Sequence, residues 1–202
     1  MSSQSSDDYV LILYYSRYGA TEQLANALAT GVEKTGMQAR IRRVPSVSSN
    51  TEQTENAIPD EGALYCSVED VRHCKGLLLG SPTRFGNMAA PMKHFIDGCS
   101  ELWLNGDLIG KPAGVFTSSS SLHGGQESTL LSMMLPLMHM GMMMVGIPYS
   151  EAALHSTRSG GAPYGATHWA HKEAAGQLTS DERALCVALG QRVAETANKL
   201  AG

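Results

Sequence analysis

Cysteine is scarce in this chain: Cys66, Cys74, Cys99 and Cys186 are the only four in 202 residues, and none has CxxC spacing or companion histidines. A disulfide framework and a thiolate metal site are therefore not expected, and the four read as free thiols in a reducing compartment. Long apolar runs are missing too; none approaches the roughly 18 residues that a bilayer crossing needs. Basic clusters are absent, and 15 Lys and Arg against 19 Asp and Glu leave a net charge of −4. That balance argues against nucleic acid and against an anionic membrane surface as partners. The polar, acidic start Met1–Asp8 lacks the basic and apolar regions of a signal peptide. We expect residues 1–8 to form a disordered tail, residues 9–202 a single domain, and the protein to be cytoplasmic.

Catalytic signatures are equally thin. No nucleophile stands with an evident base. His168 and His171 lie three apart with no third ligand close in sequence, so they read as surface polar residues and not as a metal site. The chain has neither the Gly-Lys-Ser/Thr of a nucleoside triphosphate loop nor a Gly-x-Gly-x-x-Gly. Any demanding chemistry must then belong to a bound cofactor.

What the chain does have is Val10-Leu-Ile-Leu-Tyr-Tyr15, followed by Ser16-Arg-Tyr-Gly-Ala-Thr21 and an amphipathic helix. A buried strand thus enters a helix through a tight loop containing hydroxyls and glycine. Ser16, Arg17, Tyr18, Gly19, Ala20 and Thr21 would aim backbone N–H groups, hydroxyls and the positive end of a helix dipole at one point. That is a phosphate receptor that needs no lysine. With both nucleotide signatures missing, a mononucleotide is indicated, and flavin mononucleotide (FMN) leads. An ordinary strand-to-helix turn with a Ser/Thr cap would carry the same residues.

Apolar strands alternate with helical segments along the chain. Strands are expected at Tyr9–Tyr15, Gln38–Val44, Gly76–Gly80, Ala113–Thr117 and Met142–Ile147. Helices are expected at Thr21–Lys34, Val68–His73, Ala90–Cys99, Gln126–Met140 and Ser180–Leu200, the last capped by Ser180. Arg40 and Arg42 alternate with Ala39 and Ile41, which marks an edge strand. The polar stretch Pro45–Ala63 and the Gly/Ser/Pro-rich stretch Ser156–Thr167 read as loops. Strands alternating with helices make a doubly wound α/β sheet, whose ligands bind beyond the carboxyl ends of the strands.

Two more loops belong on that edge. In Ser81-Pro-Thr-Arg-Phe-Gly-Asn-Met88, Pro82 stiffens the strand exit while Thr83, Arg84 and Asn87 bring donors together. Phe85 offers a stacking face and Gly86 a close backbone approach, which suits the flat, polar-edged isoalloxazine. A turn whose Arg84 pairs with a surface carboxylate is the alternative. Ser118, Ser119, Ser120, Ser121, Leu122, His123 and Gly124 follow the fourth strand with hydroxyls and exposed N–H groups. Taken alone, that stretch could be a flexible linker.

Four motifs now stand in order: Leu13-Tyr-Tyr-Ser-x-Tyr-Gly19, Ser81-Pro-Thr-Arg-Phe-Gly-Asn87, His123-Gly-Gly-Gln-Glu127 and Gly161-Ala-Pro-Tyr-Gly-Ala166. Together they resemble the WrbA family of flavodoxin-like NAD(P)H:quinone oxidoreductases, over about Tyr9 to Leu200. The resemblance implies a five-stranded parallel sheet in the order 2-1-3-4-5 with helices on both faces. It also implies a bound FMN, with Ser16–Thr21 on the phosphate, Thr83–Asn87 on the ring and Ser118–His123 on its other side. His139 matches a position that reaches the flavin from a neighbouring subunit, and Tyr18 and Trp103 match positions bordering the nicotinamide and quinone pocket. The family is typically a homotetramer.

One flavin and no second nucleotide-binding fold imply that NADH or NADPH and a quinone use one pocket in turn, with ping-pong kinetics. Two other roles compete with this one. A flavodoxin-type electron carrier would share fold and cofactor, though such carriers are usually more acidic. A non-enzymatic repressor-interacting protein would need no turnover, and no recognition helix supports it.

Overall fold

The computed structural model describes residues 8–47, 58–171 and 177–200. The expected tail, apart from Asp8, and most of the polar stretch after Pro45 lie outside the described residues.

The first strand, β1 (Tyr9–Tyr14), is buried at every position because helices cover both of its faces. It lies between β2 (Gln38–Arg43) and β3 (Gly76–Pro82). Beyond β3 come β4 (Pro112–Ser119) and β5 (Met143–Met144), all parallel, in the order β2-β1-β3-β4-β5. This is the doubly wound order expected. The charged β2 is at the edge, where Arg40 and Arg42 each approach Asp70 to 3.5 Å.

Helices α1 (Ala20–Glu33) and α7 (Ser180–Leu200) cover one face. Their Leu24, Leu28, Val32, Leu185, Leu189 and Val193 bury against Val10, Ile12, Leu78 and Phe116 of the sheet. The other face carries α2 (Val68–His73), α3 (Ala90–Asp97), α4 (Ser100–Asn105) and α5 (Gln126–His139), which bury Leu11, Leu13, Leu77, Leu79 and Val115. Each such side chain contributes about 1.5–3 kcal/mol on burial. Two-sided burial explains why β1 and β3 are continuous apolar runs.

The structure corrects several expected boundaries. The helix expected to run to Cys99 ends at Asp97, and α4, a separate turn, carries Trp103. The fifth strand, expected over Met142–Ile147, is reduced to the two residues of β5. The chain then leaves the sheet, forms α6 (Ala153–Ser156) and returns as β6 (Ala166–Trp169). β6 pairs parallel with the far half of β4, Phe116 to Ala166 and Ser118 to His168. The stretch expected to be a loop over Ser156–Thr167 therefore begins at the last residue of a helix and ends inside a sixth strand. The α7 cap is Thr179, not Ser180. Thr179 Oγ1 accepts from the Glu182 N–H at 3.2 Å, and Glu182 Oε2 accepts from the Thr179 N–H at 2.8 Å, a reciprocal capping box.

All four cysteines are free, and burial pushes the thiols of Cys74 and Cys99 each up to about 11, away from reactive thiolate. Among the described residues no helix is long and apolar enough to cross a membrane.

Candidate functional site

Because the strands are parallel, the loops after β1, β3, β4 and β6 open on one edge of the sheet. They enclose a cleft of about 300 Å³ lined by Ser16, Arg17, Tyr18, Ala20, Thr21, Pro82, Thr83, Arg84, Ser118, Ser119, Ser120 and Ala170. The first three loops are those singled out from the sequence. Ala170 comes from the strand that the sequence reading missed.

The turn into α1 is uncapped. The helix starts at Gly19, whose φ of 84° puts it in the left-handed region, and it has no side-chain cap. Ser16 Oγ accepts from the Gly19 N–H at 3.0 Å, outside the helix proper. The Ser/Thr-capped turn therefore does not form, and the orphan N–H groups of the first turn stay available to an anion. Thr21 Oγ1 stands 3.0 Å from Ser118 Oγ, a buried hydroxyl pair that joins the α1 loop to β4. Among the described residues Arg17 and Arg84 are the only charged ones lining the cleft, with no carboxylate beside them. Glu22, in the same helical turn, is engaged elsewhere, accepting from the Tyr14 hydroxyl at 2.9 Å.

The β3 loop closes as a two-residue hairpin. The Arg84 N–H donates to the Asn87 carbonyl at 2.7 Å, and the Asn87 N–H returns to the Arg84 carbonyl at 3.0 Å. Phe85 (φ 53°) and Gly86 (φ 78°) form its tip, and Phe85 is the only non-glycine with positive φ among the described residues. Its ring is fully exposed. Holding a bulky residue there costs on the order of 1–3 kcal/mol, and such strain clusters at ligand sites. Arg84 donates to the Thr83 carbonyl at 2.8 Å and pairs with no carboxylate among the described residues, which does not favour the surface ion-pair reading of this loop. The Asn87 side-chain carbonyl accepts from the Met88 N–H at 2.7 Å, so half of its amide braces its own loop.

Residues inside and outside the motifs brace the third loop. Thr129 Oγ1, 2.7 Å from both Thr83 Oγ1 and the Gly125 carbonyl, ties the β3 loop to the start of α5. Gln126 Nε2 donates to Ser119 Oγ at 3.1 Å, and the Trp169 indole N–H donates to the Ser120 carbonyl at 3.3 Å. Neither Thr129 nor Trp169 belongs to a motif, and their roles come from tertiary contact alone.

Other expected site residues lie elsewhere. Ser121 is exposed beyond the cleft, and Leu122 and His123 line a second, open cavity of about 480 Å³ together with Gly125 and Arg158. Phe85, Gly86, Asn87 and Gly124 do not line the first cleft. Trp103 on α4 and His139 at the end of α5 stack on each other, ring centroids 5.7 Å apart, also outside it. Tyr18 lines the cleft, largely exposed, with the Arg17 guanidinium 5.3 Å over its ring.

The surface reading of His168 is wrong. It is 1% exposed, with Nδ1 2.9 Å from Glu182 Oε2. Glu182, equally buried, also accepts from Ser159 Oγ and from the N–H groups of Gly160, Trp169 and Thr179. Burial pushes its carboxyl up, but the hydrogen bonds outweigh burial and hold it down at about 2. His171 instead packs on Trp169, ring centroids 4.5 Å apart. No group of three or more metal-ligating side chains occurs among the described residues.

A parallel 2-1-3-4-5 sheet with an acid-free cleft at the tips of its central strands defines a flavodoxin-like protein. The chain belongs to the NADPH-dependent FMN reductase family, whose model matches residues 10–158. A NAD(P)H dehydrogenase (quinone) of Gluconacetobacter diazotrophicus is 42% identical over 195 residues, covering 95% of this chain and 98% of the relative. Another, of Chromohalobacter salexigens, is 43% identical over 204 residues, covering 96% and 98%. Among solved structures, the flavodoxin, WrbA-like protein of Agrobacterium tumefaciens superposes with a TM-score of 0.65 at 23% identity, covering 95% of this chain and 98% of that one. Flavodoxin 1 of Bacillus cereus gives 0.60 at 15% identity, covering 93% and 98%. These two likenesses bear on the fold.

Proposed function

We propose that this chain is an FMN-dependent NAD(P)H:quinone oxidoreductase that holds FMN in the cleft across the β1, β3 and β4 loops. One observation carries the reading. The cleft unites an uncapped helical turn, the hydroxyls of Ser16, Thr21 and Ser118, and two arginines, with no carboxylate among the described lining residues. A phosphate dianion fits such a surface, and a carboxylate lining would repel it. Relatives at 40% identity or more over nearly the whole chain are NAD(P)H dehydrogenases (quinone), which supports the reaction class.

FMN, when bound, supplies the two-electron redox chemistry. The chain's own residues bind and orient. Ser16–Thr21 take the phosphate, Pro82, Thr83 and Arg84 border the ring with Arg84 keeping positive charge beside it, and Ser118, Ser119 and Ser120 close the opposite side. Tyr18 borders the space that the nicotinamide and the quinone occupy in turn. Trp103 and His139, displaced from their own chain's cleft, serve the cleft of a neighbouring subunit in a homotetramer. Exposed Leu104, Ile109, Leu135 and Met138 around that pair supply the apolar surface for such a contact. The four free cysteines and the mildly acidic charge suit a cytoplasmic enzyme that does not bind nucleic acid.

Two measurements follow. Oxidation of NADH and NADPH by the FMN-loaded protein, with 1,4-benzoquinone varied in a matrix, should give parallel double-reciprocal lines. Absence of turnover with flavin bound would replace the enzyme reading with that of an electron carrier. Leu135→Asp should convert the tetramer to smaller species in sedimentation analysis, and an unchanged mass would remove α5 from the interface.

A further inference from the structure

β6 sets a buried histidine beside the cleft for which neither the family motifs nor the proposed reaction has a use. Phe116 and Ala166, paired in register, both bury toward α1 and α7. Side chains alternate along a strand, so Ser118 and His168, two residues further on and again in register, face the same way. Strands about 4.8 Å apart make their side chains neighbours. Ser118 lines the cleft and meets Thr21 of α1, and His168 meets Glu182 of α7. The hydroxyl pair Thr21–Ser118 and the pair His168–Glu182 therefore form one layer beneath the first turns of two helices. Ala170, the next residue of that strand line on the same face, reaches the cleft wall.

The two ring nitrogens differ. Glu182 already accepts from three backbone N–H groups and one hydroxyl, so it is an acceptor and His168 Nδ1 carries the proton between them. Nε2 is buried and has no hydrogen-bond partner among the described residues. Buried polar nitrogens are almost always partnered, directly or through an ordered water. A capping role for Glu182 accounts for Nδ1 and leaves Nε2 without a purpose.

We propose that His168 is a positioning residue of the phosphate site: Glu182 fixes its ring, and Nε2, through one buried water, holds the Ser118–Thr21 hydroxyls in the orientation that receives the phosphate. This rests on the reading of the cleft as the FMN site. The consequence is selective, because riboflavin has the same ring and ribityl chain as FMN but no phosphate.

The test is equilibrium dialysis of the purified protein against FMN or riboflavin, with retained flavin measured by fluorescence and folding by thermal denaturation. The amide nitrogen of asparagine overlays Nδ1 of histidine as a donor, and the amide of glutamine reaches the place of Nε2, where its oxygen accepts as the unprotonated ring nitrogen does. His168→Asn keeps the donor to Glu182 and removes the group at Nε2. It should lower FMN affinity about tenfold, one lost hydrogen bond, and leave riboflavin affinity unchanged. His168→Gln should be the less stable variant yet keep more of the FMN preference. Equal loss of both flavins in His168→Asn, no loss of either, or a better FMN preference in Asn than in Gln would overturn the proposal. A wild-type protein that holds FMN no tighter than riboflavin would instead overturn the underlying placement of the phosphate, and with it this role for His168.

Discussion

Replacing Gly190 by alanine should weaken the fold by about 2–4 kcal/mol, although alanine is the better helix former by about 1 kcal/mol. The reason is the crossing of α1 and α7, which approach each other backbone to backbone. A Cβ at Gly190 would lie 2.2 Å from the Leu28 carbonyl oxygen, and one at Gly31 would lie 2.0 Å from that of Val187. Ordinary contact needs more than 3 Å, and no rotamer relieves a clash with backbone. The helices must separate, which opens the layer packed on Val10, Ile12 and Phe116. Against a total stability of about 5–15 kcal/mol such a loss is large. Urea unfolding should show a lower midpoint at unchanged slope for Gly190→Ala and for Gly31→Ala. The double variant should lose less than the sum, because one displacement accommodates both methyl groups. A loss under about 0.5 kcal/mol in either single variant would mean that the helices do not cross so closely. The effect reaches the cleft as well, since α1 carries the uncapped turn at its start.

The parts of this architecture visible in the sequence are those that local chemistry determines. β1 and β3 are continuous apolar runs because both faces are covered, and α2 begins at a Ser67–Asp70 capping box whose bonds are local. The loop Ser16–Thr21 could be placed because strand, glycine and helix follow one another without interruption. Its uncapped state could not, since Ser16 and Thr21 are both good caps by composition. Thr21 instead pairs with Ser118, 97 residues away. β6 was hidden for the same reason. Ala166-Thr-His-Trp169 is four residues long, shows no alternation, and exists as a strand only through its pairing with β4. Losing β6 hid Ala170 in the cleft wall, Trp169 on the Ser120 carbonyl and the burial of His168 together. One signal was present: Thr179-Ser-Asp-Glu182 fits a capping box, and assigning the cap to Ser180 concealed it. Even that box would not have revealed that Glu182 also gathers Ser159, Gly160, His168 and Trp169.

Glu182 should also make the protein acid-sensitive. Its folded carboxyl lies at about 2 against an ordinary 4.5, burial being outweighed by its hydrogen bonds. A group depressed on folding contributes stability that is full above its unfolded value and is lost as pH falls through the folded one. The window is therefore about pH 4.5 down to about 2, and the depression corresponds to roughly 3 kcal/mol at neutral pH. Glu182→Gln keeps the shape but removes the charge, and it turns an amide NH₂ toward donors. The variant should unfold about 3 kcal/mol more easily than wild type at pH 7, with the difference shrinking as pH drops below 4.5. Denaturant unfolding of both proteins between pH 7 and pH 3 measures it, and a difference independent of pH would place the effect in packing alone. The carboxylate draws together the Ser159–Gly160 turn, the end of β6 and the first turn of α7. Its neutralisation should therefore loosen the wall that carries Ala170, so Glu182→Gln should retain less flavin than wild type at pH 7, and wild-type retention should fall toward that of the variant as pH drops below about 4.5.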